Sequence, residues 1–137
     1  MEVNIRRVTI ADVDALTAIA RQTFYDTFTG TCTEADMQSF LDKHYNAVQL
    51  SSELSNPETC CFFAEADGKV VAYLHFMEDY KSFPLIKKWK ALELKRIYVL
   101  KEYHGQGIAQ QLMDYILNFA EEKKYEVVWL GVWENNI

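Results

Sequence analysis

The sequence predicts an α/β fold (α+β, mixed sheet), with antiparallel strands in the N-terminal half and a parallel β-α-β unit near the C-terminus. Two observations support this prediction. Apolar runs of strand length flank Asp67-Gly68, which is a strong hairpin signal. Residues 92–132 have the pattern of a strand, a glycine-rich turn, a helix and a second strand, which is typical of a parallel crossover. The length of 137 residues indicates one domain, residues 1–137.

The N-terminal part is predicted to hold one strand and three helices. Residues 3–8 alternate loosely, as a strand would. Thr9-Ile10-Ala11-Asp12 resembles a capping box before the first helix, and Thr33-Glu34-Ala35-Asp36 repeats the signal before the second. A short third helix is expected over residues 47–54. Apolar positions at helical spacing are expected in the core: Val13, Leu16, Ala20 and Phe24, then Met37, Phe40 and Leu41.

The remaining elements follow from apolar runs and from the residues that interrupt them. The helix before the last strand is expected to bury Ile108, Leu112, Ile116 and Phe119. The last strand is apolar almost throughout, as expected of a strand covered on both faces. In chain order we predict strands over 59–66 and 70–77, an irregular connection over 78–90, a strand over 91–100, a helix over about 107–124 and a strand over 127–132.

Composition excludes several classes of function. The net charge of −6 makes nucleic acid a poor partner, because phosphate binding needs clustered Lys and Arg, whereas small cations such as amines are compatible with it. No apolar run approaches the roughly 20 residues that span a bilayer. The first seven residues lack the apolar centre of a signal peptide, so we expect a cytoplasmic protein. The three cysteines have no CxxC spacing, so we expect reduced thiols and no metal site.

The glycine-rich turn His104-Gly105-Gln106-Gly107-Ile108-Ala109 is the strongest functional signal. Two glycines before a helix allow main-chain N–H groups to approach an anion at the positive end of the helix dipole. A Walker loop is excluded because Ile108 and Ala109 stand where Lys and Ser or Thr are needed. A dinucleotide fingerprint is disfavoured because Gln110 occupies the position of a third small residue. A tight turn without a ligand remains open at this point.

This turn and its surroundings resemble the GCN5-related N-acetyltransferases, whose cofactor motif is Gln/Arg-x-x-Gly-x-Gly/Ala before a helix. His104 stands in the Gln/Arg position, which departs from the motif because a neutral His has only one N–H to donate. The resemblance implies acetyl-CoA as co-substrate, with its pyrophosphate at the turn and its pantetheine arm along the preceding strand. The implied cofactor-binding residues are Ile97, Tyr98, Val99, His104, Gly105, Gln106, Gly107, Ile108, Ala109, Gln110 and Asn136.

Two further segments, Thr23-Phe24-x-Asp26-Thr27-Phe28 and Trp129-Leu130-Gly131-Val132-Trp133-Glu134-Asn135-Asn136, look like bacterial enzymes that acetylate spermidine and related polyamines. The resemblance implies an acyltransferase that moves acetyl from acetyl-CoA to a primary amine. Alternatives are a non-catalytic acyl-CoA-binding or regulatory module, a protein-lysine or N-terminal acetyltransferase, and a scaffold that pairs as a homodimer. Relatives continue with a helix and further strands, so we expect the C-terminal part of the family fold to be absent here.

The reaction needs a neutral amine, and an amine with a pKa of about 10.4 is neutral in about one molecule in 2,500 at pH 7. A base is therefore useful. Glu93 lies on the strand before the turn, where several relatives carry a glutamate base, and it is the predicted catalytic residue. A strand-face charge or a substrate anchor are the alternatives for Glu93. His75 and Glu78 are weaker candidates.

Overall fold

A computed structural model describes residues 2–78 and 91–130 of the chain. Among these residues, five strands form one sheet in the order β1-β2-β3-β4-β5. The strands are β1 (Asn4–Arg7), β2 (Thr59–Ala66), β3 (Lys69–Glu78), β4 (Ala91–Val99) and β5 (Val127–Leu130). The helices are α1 (Val13–Phe28), α2 (Glu34–His44), α3 (Ala47–Ser55) and α4 (Ile108–Glu122), with short 3-10 turns at Ile10–Asp12 and Lys101–Tyr103.

The strand pairing confirms the predicted mixed fold. Strands β1 to β4 pair antiparallel in chain order, and β4 pairs with β5 in parallel. The parallel register runs from Ala91 opposite Val127 to Leu94 opposite Leu130. Helix α4 connects these two strands, as a parallel pair requires. The β2–β3 turn places Asp67 at φ 55° and Gly68 at φ 78°, the backbone that favours Asp-Gly in a two-residue hairpin.

The sheet is covered on both faces by helices. Helix α4 covers one face with Ile108, Leu112, Ile116 and Ala120, and these side chains meet buried residues of β2, β3 and β4. Helices α1 to α3 cover the other face. Four expectations about the core need correction: Val13, Phe24 and Phe119 are only partly buried, and Phe40 is 39% exposed. Phe40 turns to the surface of α2, where its ring stacks on Phe24 at 4.9 Å.

Both predicted helix starts are present, with one difference. The Asp12 carboxylate accepts a hydrogen bond from the Thr9 N–H at 2.9 Å and completes the capping box. That box begins a 3-10 turn at Ile10, and α1 itself starts three residues later, at Val13. The Thr33 hydroxyl accepts from the Asp36 N–H at 3.1 Å and caps α2 as predicted.

Strand β4 contains a bulge that the sequence pattern did not reveal. His75 of β3 lies opposite Arg96, but the next residue of β3, Phe76, lies opposite Leu94, so Lys95 is an extra residue in β4. A bulge of this kind bends a strand and redirects its side chains. The predicted connection after Glu78, the last two residues of the predicted final strand, and Asn136 lie outside the described residues.

Candidate functional site

An open groove of about 370 Å³ lies between the C-terminal half of β4 and the start of α4. Thr27 of α1 and Tyr103 of the turn also line it, and neither was predicted as a site residue from the sequence. Gln106 and Gln110 are exposed near its rim but are not part of the lining. The structure brings together in this groove the predicted residues Ile97, Tyr98, Val99, His104, Gly105, Gly107, Ile108 and Ala109.

The turn presents main-chain donors to the groove. Gly105 and Gly107 have φ angles of 79° and 80°, a conformation that L side chains rarely adopt. In the described part of the chain, no group accepts a hydrogen bond from the N–H groups of residues 105–110, and the first α-helical bond of α4 runs from the Gln111 N–H to the Gly107 carbonyl. The positive end of a 15-residue helix therefore faces the groove with free donors. This geometry fits an elongated ligand that carries a diphosphate.

His104 uses its one donor inside the protein. Its Nε2 lies 2.8 Å from the Val99 carbonyl oxygen, which can only accept, so Nε2 carries the hydrogen. In the neutral ring Nδ1 then has no hydrogen to give. The His104 side chain is therefore hydrogen-bonded to the end of β4. The donors that the turn offers to an anion are main-chain N–H groups.

Glu93 lies on β4 before the bulge. Its neighbours Leu92 and Leu94 face α4, so by strand alternation Glu93 faces the side of α1 to α3. Its side chain is 12% exposed, and Oε1 is 2.9 Å from Nζ of Lys95, the bulge residue. Glu93 is thus a shielded carboxylate on the same strand as the groove residues 97–99, with the Lys95 ammonium beside it, but it does not itself line the groove.

Behind β4 lies a buried polar cluster of Glu53, Tyr73, His75 and Arg96, called the β4 cluster below. Arg96 donates to both carboxylate oxygens of Glu53, at 2.7 and 3.4 Å, and lies 3.5 Å from Nδ1 of His75. Neither Glu53 nor Arg96 was singled out from the sequence. They are 43 residues apart, so no local motif could have indicated the pair.

Burial and charge set the protonation states in the β4 cluster. Burial, helped by the Arg96 charge, lowers the pKa of His75 to about 4, so the ring is neutral near pH 7 and a weak base. Burial opposes the charge on Glu53, but the hydrogen bond and charge of Arg96 outweigh it and lower the pKa of Glu53. Glu78, the other weak candidate, accepts a hydrogen bond from the Tyr125 hydroxyl at 2.7 Å.

Asp26 carries a carboxylate oxygen without a partner. Its Oδ1 accepts from the Gln22 amide at 2.9 Å, whereas Oδ2 is buried and has no hydrogen-bond partner among the described residues. Asp26 precedes Thr27, which lines the groove at the end of α1. A carboxylate in this position favours a cation, and the negative end of α1 adds to the effect.

Other kinds of site find no support in residues 2–78 and 91–130. There, no three His, Cys, Asp or Glu side chains are grouped as metal ligands would be. Among the described helices, none has an apolar stretch of the length that a bilayer span requires. The three cysteines, Cys32, Cys60 and Cys61, are all free thiols.

Comparison with known proteins identifies the family to which this chain belongs. The model of the acetyltransferase (GNAT) family matches residues 15–137. A Lactobacillus delbrueckii subsp. lactis protein named as an uncharacterized N-acetyltransferase in the pepI 3′ region is 37% identical over 138 residues, covering 98% of this chain and 77% of that protein. The spermidine N(1)-acetyltransferase of Thermoplasma acidophilum is 26% identical over 117 residues, covering 82% of this chain and 67% of the enzyme.

Solved structures share the fold. The PaiA N-acetyltransferase from Thermoplasma acidophilum, crystallised with coenzyme A, matches with a TM-score of 0.82 at 23% identity, over 99% of this chain and 82% of that one. A possible acetyltransferase from Clostridium difficile 630 matches with a TM-score of 0.69 at 24% identity, over 100% and 84%.

Proposed function

We propose that this chain, which belongs to the acetyltransferase (GNAT) family and is an acetyl-CoA-dependent N-acetyltransferase, acetylates a primary amine of the polyamine class. The observation that carries the binding of acetyl-CoA is the row of free main-chain donors at residues 105–110, beside a groove of about 370 Å³. We further propose that residues 1–137 act as one acetyltransferase domain and that the protein works in the cytoplasm, where its two substrates would be at hand.

The cofactor is proposed to bind chiefly through the main chain. The N–H groups of residues 105–110 would bind the pyrophosphate, and each contact at a helix N-terminus contributes about 0.3–1 kcal/mol. Ile97, Tyr98 and Val99 would exchange main-chain hydrogen bonds with the pantetheine arm, and Asn136, outside the described residues, is proposed as a further contact. A main-chain N–H of β4 would then face the thioester carbonyl, where negative charge develops during attack.

Glu93 is the proposed general base. It would take the proton of the acceptor ammonium, so that the neutral nitrogen attacks the thioester carbon and the new C–N bond forms. The C–S bond then breaks, and the proton that the nitrogen loses in becoming an amide passes to the departing thiolate, so that coenzyme A leaves as the thiol. At pH 7 deprotonating an amine of pKa about 10.4 costs about 4.6 kcal/mol, which a positioned carboxylate offsets in part. The Lys95 ammonium, 2.9 Å from Glu93, competes with the acceptor for this carboxylate.

Three observations support a cationic acceptor. The chain carries a net charge of −6. The buried oxygen of Asp26 has no described hydrogen-bond partner, and an ammonium would satisfy it. A relative that is 26% identical is named as a spermidine acetyltransferase.

A thiol-release assay with an acceptor panel tests the proposal. The panel contains spermidine, spermine and putrescine, a lysine-containing peptide, a peptide with a free N-terminus, and a neutral aromatic amine. We expect kcat/KM for a polyamine to exceed that of every peptide by about tenfold or more, because two separated charges gain more than one from an acidic site. A peptide as the best acceptor would contradict the polyamine assignment. Coenzyme A binding without turnover of any amine would favour the regulatory module.

A further inference from the structure

The β4 cluster is buried beside the groove but does not line it. The small cavity bordered by Glu53, Tyr73, His75 and Arg96 has a volume of about 10 Å³, enough for a single water. The Tyr73 hydroxyl and Nε2 of His75 are buried without a partner among the described residues, and both residues border this cavity. Acetyl-CoA and an amine are too large to enter. The β4 cluster can therefore influence the reaction only through the elements that it connects.

Arg96 connects three elements at one point of the sheet. Its guanidinium is bound by Glu53 of α3 and lies over the ring of Tyr45, the residue that follows α2, at 4.9 Å from the ring centroid. The exposed fractions of the Arg96 and Glu53 side chains are 20% and 22%, so water screens this pair only in part. The planar fork of arginine fixes direction as well as distance when it binds both carboxylate oxygens.

Because of its position along β4, the pairing of Arg96 with Glu53 affects the strand that forms one wall of the groove. Arg96 directly follows the bulge residue Lys95 and directly precedes Ile97, the first groove residue. A bulge is the part of a strand whose course is least constrained by its neighbours, because one residue has no partner across the ladder. After the bulge, residues 96–99 pair again with residues 72–75 of β3, and the fixed Arg96 side chain adds a second constraint on the direction in which the strand continues.

We propose that Arg96 is a positioning residue: held by Glu53, it fixes β4 after the bulge and thereby places the main chain of residues 97–99 as one wall of the cofactor groove. The proposal concerns the binding of coenzyme A and is independent of the acceptor. An error in the polyamine assignment would leave it intact, because its test uses coenzyme A alone.

The test compares Arg96→Met with the double variant Glu53→Leu/Arg96→Met. The single variant leaves a buried carboxylate unpaired and should lower the melting temperature, whereas the double variant removes both charges and should recover most of that loss. We expect both to bind coenzyme A about tenfold more weakly in calorimetry, because in both the position of β4 after the bulge is fixed by the pairing with β3 alone. In the double variant, amide exchange of residues 97–99 should be about tenfold faster than in the wild type.

Arg6→Met is the matched control. Arg6 makes two ion pairs of 3.0 Å, with Asp12 and Glu65, on β1 at the opposite edge of the sheet from β5. Its loss should lower the melting temperature without changing the dissociation constant for coenzyme A. A double variant that binds coenzyme A within about twofold of the wild type would overturn the proposal. If the methionine variants do not fold, Arg96→Lys tests the proposal instead, because lysine keeps the positive charge but lacks the planar guanidinium. Binding of coenzyme A that is about threefold weaker than in the wild type would support the positioning role. An unchanged affinity for coenzyme A would contradict it.

Discussion

The two sides of β4 are built in opposite ways. On the groove side, residues 97–110 are close in sequence, and the groups that face a ligand are exposed main-chain donors. On the other side, the β4 cluster brings together side chains from α3, β3 and β4, and the Glu53–Arg96 pair spans 43 residues of sequence. A local stretch can therefore supply the anion site, but the strand that carries the site is held by contacts that only the folded chain creates.

Glu93 lies on β4 before the bulge, and its substitution should have the largest effect. We expect Glu93→Gln to lower kcat by about 10²–10⁴-fold with little change in KM for acetyl-CoA, because the amide cannot take the proton of the acceptor. Steady-state thiol release measures both constants. Glu78→Gln is the control, since Glu78 already accepts from the Tyr125 hydroxyl and should leave kcat within about twofold. A Glu93→Gln enzyme with wild-type kcat would assign Glu93 to the strand face alone.

Substitution of two glycines tests whether main-chain N–H groups of the turn bind the cofactor. Gly107 and Gly68 have φ angles of 80° and 78°, and at both a Cβ would meet nothing within 4 Å. Aspartate introduces the same strain and charge at either site, but only at position 107 does the carboxylate face the proposed pyrophosphate. Calorimetry should show coenzyme A binding weakened about 100-fold or more for Gly107→Asp and unchanged for Gly68→Asp. Equal affinities in the two variants would show that the turn is only structural.

The free energy of unfolding should depend on pH through His75, a buried residue of the β4 cluster. The pKa of His75 is lowered from 6.5 to about 4, so the unfolded chain binds a proton first, and the stability that the neutral ring provides is lost as pH falls through this interval. Lys95 and Arg96 disfavour the protonated ring and Glu53 favours it. We expect His75 to account for about 2 kcal/mol of lost unfolding free energy between pH 7 and 4.5. Urea unfolding of the wild type and of His75→Gln should show this difference; parallel pH profiles would contradict it.

Substitution of His104 should have the smallest effect on coenzyme A binding. Its single donor is used on the Val99 carbonyl, whereas a glutamine amide has two hydrogens and could serve both the carbonyl and a phosphate. We expect His104→Gln to tighten coenzyme A binding by about fivefold in calorimetry, and His44→Gln, at the end of α2, to leave it unchanged. Weaker binding in His104→Gln would mean that the imidazole itself contacts the cofactor.

The sequence predicted what depends on neighbouring residues. The hairpin at Asp67-Gly68, the two capped helix starts and the glycine turn before α4 are local signals, and the structure has each of them. The extra residue at Lys95 was missed because a bulge is a property of two paired strands. The exposure of Phe40 was missed because helical spacing gives the face of a residue but not the extent of the opposing surface.

In the candidate site, too, the sequence predicted the residues that are close together in the chain and missed those that only folding brings together. The groove residues follow from one motif and its preceding strand. Tyr103 and Thr27 were missed, and Thr27 reaches the groove only because α1 packs across the sheet. The partnership of Glu53 with Arg96 carries no sequence signal, since charged residues are frequent at such spacings and only burial makes this pair distinctive.

The most direct test of this account is a titration of the isotope-labelled protein with coenzyme A, followed through its main-chain amide resonances. We expect the largest shifts on the amides of residues 105–110, a second group at residues 97–99, and no response from the residues around Gly68. Saturable binding that leaves the amides of 105–110 unshifted would contradict the claim that the open N–H groups of this turn bind the cofactor.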